Sequence, residues 1–343
     1  MTGKTALVTG VSGQDGALLA EFLLRKNYTV HGLRLYSATD DTQRLHNLIE
    51  DKKFHLRYGD MIDGGSLSRL LNDIQPDEIY NLAGQSHVGV SFEVPEATLN
   101  INTLGVCRLL EALRGSGSGA RLYQASSSEM FGNAPAPQNE ETPHRPCSPY
   151  GASKSCAFWL VRSYRSSYRM HASNGILFNH ESAWRGEDFV TRKITRGVAA
   201  IEAGQLECLK LGNLDARRDW GHARDYVEGM WLMLQQDEPD DYVIATGETL
   251  SVRQFAEVAF SCIGTRIVWK GAGVDEKGVN EETGKVHISV DPQLFRPNEL
   301  HMLIGDASKA RRKLGWAPRT LFSDMVKEMV EHDRELIRQT VPR

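Results

Sequence analysis

The chain has 343 residues, 41% of them apolar and 24% charged, which suits one large α/β unit with a smaller lobe. A formal charge of −4 excludes a general affinity for nucleic acid, so any phosphate binding has to be local. Five scattered cysteines without a CxxC pair exclude a disulfide framework or a zinc site, and no metal is expected.

In chain order, residues 4–8 read as a buried strand and 16–26 as an amphipathic helix behind a glycine-rich turn. Strands follow at 28–33 and 54–58, then a helix at 66–74 and a strand at 78–82. A helix at 103–114, a strand at 122–125, a helix at 150–169 and a strand at 175–178 continue the alternation. Beyond about residue 180 the pattern breaks, apart from a helix at 226–235 and a strand at 242–245. Residues 270–285, rich in Gly, Glu and Lys without periodicity, read as an exposed loop. The whole predicts an α/β fold: a Rossmann-type doubly wound parallel sheet with a smaller, mostly C-terminal α/β lobe. The N-terminus enters the first strand with no apolar leader, and no apolar run is long enough to span a bilayer. A cytoplasmic protein without membrane partners is therefore expected.

Three motifs carry chemistry. Gly10, Gly13 and Gly16 stand in a strand–turn–helix context, where glycine allows the tight turn, the approach of backbone N–H groups to a pyrophosphate, and close helix packing. Their GxxGxxG spacing resembles the short-chain dehydrogenase superfamily. The end of the second strand reads Leu33-Arg34-Leu35-Tyr36, without the acid that holds the ribose hydroxyls in NAD enzymes, so Arg34 is the candidate partner of a 2′-phosphate, with Arg44 in reserve. Tyr150 and Lys154, four apart behind a Ser148-Pro149 helix entry, share one helix face, where an ammonium should lower the phenol toward neutrality. YxxxK alone is weak. It gains weight from Ser127 and Glu129, a hydroxyl and a carboxylate just past a strand end, where open α/β sheets keep reactive groups. A solvated arginine at 34 and a plain serine-rich loop at 126–128 are the bland alternatives.

The strings GQDG (13–16), YNLAGQSHV (80–88), YQAS (123–126), GILFNHES (175–182), VTRKITR (190–196), LGNLDARRDWG (211–221) and DYVEGMWLMLQQD (225–237) make the resemblance specific. Together with ATG (245–247) and FRP (295–297) they resemble GDP-mannose 4,6-dehydratases over nearly the whole chain. The resemblance implies an extended short-chain dehydrogenase fold with bound NADP and a GDP-sugar substrate. It assigns residues 1–182 to an NADP-binding domain, with 222–247 returning to it, and 183–221 and 248–343 to a nucleotide-sugar lobe. For NADP it implies Gly10, Ser12, Gly13, Gln14, Asp15, Gly16, Arg34, Asp60, Met61, Leu82, Ser86, Tyr150, Lys154, His180 and Arg185. For the GDP-sugar it implies Ser86, Glu129, Asn179, Lys193, Gly212, Arg218 and Arg296. Catalysis would fall to Ser127, Glu129, Tyr150 and Lys154, within a homodimer or homotetramer.

Three departures stand out. Leu35-Tyr36-Ser37-Ala38 replaces the Arg-Arg pair and serines often found after the second strand. Ala183-Trp184 replaces a common Pro-Arg, and Ser127 replaces threonine. They leave GDP-mannose as the first candidate sugar and a GDP-heptose as the second. In the implied cycle Tyr150 takes the 4-hydroxyl proton as the C4 hydride leaves for NADP. Glu129 removes the C5 proton, water departs from C6, and hydride returns there. A nucleotide-sugar 4-epimerase or reductase of the same fold would have no use for Glu129, and a non-catalytic NADP-binding regulator need not keep Ser127, Tyr150 and Lys154. For pairing of subunits, Leu109, Leu110, Phe158 and Trp159 offer apolar surface, some of which must serve the chain's own core.

Overall fold

The computed structural model describes residues 3–38, 42–295, 300 and 302–340. Among these the strands are β1 (Thr5–Thr9), β2 (Thr29–Arg34), β3 (Phe54–Tyr58), β4 (Glu78–Asn81), β5 (Arg121–Ser127), β6 (Ala172–Leu177), β7 (Asn179–Glu181), β8 (Leu209–Leu211), β9 (Arg217–Arg218), β10 (Trp220–His222), β11 (Asp241–Ile244), β12 (Leu250–Ser251), β13 (Ile267–Lys270), β14 (Lys277–Asn280) and β15 (Val286–Val290). The helices are α1 (Gln14–Arg25), α2 (His46–Ile49), α3 (Gly64–Ile74), α4 (Val90–Glu93), α5 (Pro95–Leu99), α6 (Gly105–Ser116), α7 (Pro149–Tyr168), α8 (Val190–Glu202), α9 (Ala223–Gln235), α10 (Val252–Ser261), α11 (Ser308–Leu314) and α12 (Phe322–Thr340).

Seven of the described strands form one parallel sheet in the order β11-β6-β5-β4-β1-β2-β3. Val8, Val30, Ile79, Leu122 and Ile176 are fully buried, as expected of a sheet covered by helices on both faces. On one face, Leu19 and Leu23 of α1 join Met230, Met233 and Leu234 of α9 and the indole of Trp316. On the other, Leu67 and Leu71 of α3 meet Leu109, Leu110 and Leu113 of α6 and Val161 of α7. The α/β, doubly wound expectation is borne out. β11 enters the large sheet beside β6, in register from Asp241↔Asn174 to Ile244↔Leu177.

The lobe has its own core, in which Ile194 and Val198 of α8, Phe255 and Phe260 of α10, and Met325 and Met329 of α12 surround Trp220. Its four-stranded sheet runs β13-β14-β15-β8. Here the structure corrects part of the sequence reading: within 270–285, residues 277–280 form the hairpin strand β14, while the segments on either side of it are turns and irregular, mostly exposed backbone. The strand is short and polar toward solvent, so it lacks a periodic apolar signature; Gly278 packs under Ile267 and Ile288, where a Cβ would stand 3.0–3.1 Å from their side chains. Helices α8, α10 and α12 were also not expected. A signal for α10 was present, because Ser251 and Gln254 form a capping box ahead of buried Val252, Phe255, Ala256, Ala259 and Phe260. Among the described residues, no helix is long and apolar enough to cross a membrane.

Candidate active site

Strand order reverses between β1 and β4, and a crevice at such a switch point is where open α/β sheets hold ligands. A cleft of ≈ 950 Å³ opens there, lined from both the large sheet and the lobe. The glycine turn forms one wall. Gly10 has φ +67°, and a Cβ on it would stand 2.9 Å from the Ala83 backbone. At Gly16 a Cβ would meet the Gly10 carbonyl oxygen at 2.3 Å, so only glycine lets α1 approach the turn this closely. Gly13 is the N-cap of α1 and no side chain caps the helix. The first-turn N–H groups therefore suit an anion, which is the fit a dinucleotide pyrophosphate requires.

The side chains beyond this turn are tied across the cleft to β7. His180 Nε2 lies 2.8 Å from Asp15 Oδ2, and Gln14 Nε2 donates to Asp15 Oδ1 at 3.0 Å and to the His180 carbonyl at 3.1 Å. Burial opposes charge on both partners, but their mutual attraction and hydrogen bond prevail: His180 is held above its ordinary pKa and Asp15 below. Arg185 Nε stands 3.0 Å from Glu181 Oε2, off the line of a hydrogen bond and thus a plain ion pair. Its guanidinium lies 3.7 Å over the Phe189 ring.

The reactive cluster comes from two neighbouring elements. Ser127 is the last residue of β5, and its Oγ accepts from the Glu129 N–H at 3.2 Å, capping the single 3₁₀ turn that carries Glu129. Ser148 caps α7 by accepting from the Gly151 N–H at 3.0 Å, with Pro149 at the first helical position. Tyr150 and Lys154 follow one turn apart, and all four candidate catalytic side chains are buried. The loop after β4 covers the lysine: a Cβ on Gly84 would come within 3.7 Å of Lys154 Nζ.

One expectation is corrected. Lys154 Nζ donates to the Ala125 carbonyl at 2.9 Å and lies 5.8 Å from the centre of the Tyr150 ring. Burial pushes the Tyr150 phenol up to about 12, although a hydrogen bond with Ser127 works in the other direction. Burial likewise brings the Lys154 ammonium down to about 8. In the protein alone, desolvation of the phenolate outweighs what the lysine was expected to supply.

Of the other candidates, Ser12, Leu82 and Ser86 line the cleft near the glycine turn, and Asn179, Lys193, Gly212 and Arg218 line the half toward the lobe. Burial lowers the Lys193 pKa, against the pull of Asp291. Arg34, Asp60 and Met61 do not line the cleft. Arg34 is the last residue of β2, and Asp60 and Met61 follow β3; Val11 N–H to Leu33 O at 3.2 Å ties β2 to the turn, and Gly59 N–H to Arg34 O at 3.1 Å ties the end of β3 to β2. Arg34 is buried over the Tyr58 ring at 5.8 Å, and Met61 is a core side chain. Arg44, the reserve, does line the cleft, donating to the Trp184 carbonyl at 2.8 Å and the Ser12 carbonyl at 3.2 Å. Arg296 lies outside the described residues. Phe92, Phe189, Leu294 and Phe295 also line the cleft, and nothing in their spacing announced it, because Phe92 of α4, Phe189 before α8 and the adjacent Leu294 and Phe295 lie far apart in the chain. Among the described residues, no group of three His, Cys, Asp or Glu side chains could hold a metal ion.

A doubly wound sheet, a glycine turn at its switch point and a buried Ser–Glu–Tyr–Lys cluster define an enzyme of the extended short-chain dehydrogenase type. The fold agrees with solved structures of a dTDP-glucose 4,6-dehydratase from Streptomyces venezuelae (TM-score 0.81, 24% identity, 96% of this chain and 97% of that one). It agrees equally with a UDP-glucose 4-epimerase from Thermus thermophilus (TM-score 0.80, 24% identity, 96% and 99%). The family model for GDP-mannose 4,6 dehydratase matches residues 7–329. Proteins named GDP-mannose 4,6-dehydratase are 54% identical in Sinorhizobium fredii (98% of both chains), 53% in Drosophila melanogaster (98% and 87%) and 52% in Homo sapiens (98% and 92%). The chain belongs to the GDP-mannose 4,6-dehydratase family, and with it to the lyases.

Proposed function

We propose that this enzyme uses tightly held NADP to convert GDP-mannose to its 4-keto-6-deoxy form. The observation that carries the reading is the common cleft of the glycine turn, Ser127, Glu129, Tyr150 and Lys154. NADP would lie along Gly10–Gly16, with Leu82, Ser86, His180 and Arg185, and with Arg34 or Arg44 at its 2′-phosphate. Residues 1–182 and 222–247 would form the cofactor domain. The lobe, 183–221 and 248–343, would hold the GDP-sugar through Asn179 at its border, Lys193, Gly212, Arg218 and Arg296.

When bound, oxidised NADP supplies the hydride acceptor and later the donor, so the reaction needs no external oxidant. Tyr150 Oη takes the proton of the sugar 4-hydroxyl, with Ser127 Oγ hydrogen-bonded to it. Lys154 Nζ, buried under Gly84, supplies a nearby positive charge. Oxidation at C4 acidifies the C5 hydrogen, which Glu129 removes as general base. The same carboxyl group or Ser127 returns a proton to the C6 hydroxyl as it leaves as water, and the Tyr150 hydroxyl gives its proton to C5 as the hydride is returned to C6. An epimerase has no elimination step and no need of Glu129.

Two solved structures of similar fold, a dTDP-glucose 4,6-dehydratase and a UDP-glucose 4-epimerase, each hold NAD, which supports a nicotinamide cofactor without choosing its phosphate. The enzyme works in the cytoplasm as a homo-oligomer, without nucleic-acid or membrane partners. Incubating purified protein with GDP-mannose and following the sugar nucleotide by mass spectrometry tests the reading: loss of one water is expected. An unchanged mass, or an isomer of equal mass, would overturn it.

A further inference from the structure

The first turn of α8 sends two neighbouring side chains to different partners. Thr191, on the cleft wall, gives its hydroxyl to Glu181 Oε2 at 2.7 Å. Arg192 does not line the cleft; it is buried against Asp333 of α12, the two being 4% and 1% exposed. Arg192 Nε lies 2.8 and 3.0 Å from the two Asp333 oxygens, and Nη2 2.7 Å from Oδ1. Thr195 Oγ1 donates to the same carboxylate at 2.7 Å. The acid is thus fully engaged, which a buried carboxylate requires.

The other end of the guanidinium is turned to backbone. Nη1 donates to the Ala183 carbonyl and, at 3.1 Å, to the Arg185 carbonyl. These carbonyls bracket Trp184, whose own carbonyl accepts from Arg44 at 2.8 Å. Residues 183–185 are therefore pinned by one arginine in the lobe core and by another on the cleft. The segment presents Arg185, whose guanidinium is stacked on Phe189 beside Glu181. An apolar pair of similar volume in the place of Arg192 and Asp333 often leaves stability unharmed or improved. It could not hold two carbonyls.

We propose that Arg192, oriented by Asp333, is a positioning residue for ligand binding: it fixes the backbone at 183–185 and thereby the aim of Arg185 at an anionic group in the cleft. The inference rests on the reading of that cleft as the NADP and GDP-sugar site.

Two variants test it. Arg192→Met combined with Asp333→Leu removes both charges together and keeps volume in the lobe core. Arg192→Lys keeps a cation for Asp333, but a single ammonium cannot fork to the acid and also span both carbonyls. Melting temperature, NADP affinity by calorimetry, and kcat and KM with GDP-mannose are measured on each. Both variants should bind NADP about tenfold or more weakly, the effect of misaiming one charge-assisted contact. Their kcat at saturation of both ligands should change less than about threefold, since the lost contact is not special to the transition state. A merely structural role would lower the melting temperature or the folded fraction and leave the affinity of the folded protein intact. If the unmodified protein binds NADP and the folded variants match it within about twofold, well below a lost contact, the inference is overturned. Should the double variant not fold, Arg192→Lys decides on the same criterion. If the unmodified protein binds neither NADP nor GDP-mannose, the reading of the cleft fails and this inference falls with it.

Discussion

The start of α7 presses so closely on the turn after β5 that a Cβ on Gly151 would stand 2.6 Å from the carbonyl oxygen of Glu129. This contact brings the carboxylate of one element beside the phenol of the other, and Glu129 is one of the charges that hold the Tyr150 pKa up. Glu129→Gln keeps the shape and removes the proposed base. Oxidation at C4 should still proceed, whereas proton removal at C5 should stall. Net dehydration should fall by about a hundredfold to ten-thousandfold, the usual contribution of a positioned acid/base. Mixing the variant with GDP-mannose should make NADPH absorbance visible, and Tyr150→Phe should show neither absorbance nor product. Dehydration by Glu129→Gln at the unmodified rate would remove Glu129 from the mechanism.

The pair His180 and Asp15 should make cofactor binding pH-dependent. His180 is raised above 6.5, so its stabilising charge is fully present below that value and is lost as pH rises through the folded-state pKa. Asp15 is lowered below 3.8, so its contribution is present above that value and is lost as pH falls through its folded-state pKa. Between these limits the pair is intact, with Arg185 and Glu181 as the other charges nearby. On the alkaline side Asp15 remains an anion whose partner has gone neutral, and it would then stand unpaired toward the phosphates of a dinucleotide bound at the glycine turn. NADP affinity should therefore fall by roughly tenfold as His180 deprotonates, the scale of one charge-assisted contact. Calorimetric titrations across this range should show the fall in the unmodified protein and a flat profile in His180→Gln. Equal slopes in the two would exclude His180.

Arg34 and Arg44 approach the glycine turn from different sides, one from the end of β2 and one from the cleft. NADP should bind more tightly than NAD, and Arg34→Ala and Arg44→Ala should each weaken NADP more than NAD. A charge-assisted pair with the 2′-phosphate accounts for about tenfold to a hundredfold. Dissociation constants for both dinucleotides with the three proteins decide the matter. Equal affinities in the unmodified protein would dismiss both arginines.

Leu109, Leu110 and Phe158 prove to be fully committed to the chain's own core, but Trp159 of α7 is 54% exposed, with Leu104 at 51% and Leu99 at 42%. Leu99 ends α5, Leu104 ends the helical turn Asn100–Leu104 that links α5 to α6, and that turn packs on α5, α6 and α7. At least a dimer should appear by light scattering at micromolar concentration. Trp159→Glu should weaken it by about thirtyfold or more, as for a central aromatic anchor. A monomeric unmodified protein would show that this surface has another use.

Local pattern alone determined the sheet. Apolar strands near 4–8, 28–33, 54–58, 78–82 and 122–125 alternate with amphipathic helices, and that periodicity follows from burial on both faces of a parallel sheet. The cofactor turn and the Tyr150–Lys154 pair were legible for the same reason, since each lies within one element and its spacing is its geometry. The lobe was not. Its helices α8 and α12 bury one stripe against a core that exists only once residues 190–202, 252–261 and 322–340 have come together. Only the tertiary structure set Lys154 against the Ala125 carbonyl rather than on the phenol, placed Arg44 in the cleft and Arg34 beside Tyr58, and joined Arg192 to Asp333 across 141 residues. A pKa, a buried ion pair and the aim of a long side chain depend on what surrounds them in space, and neighbours distant in sequence supply most of that surrounding.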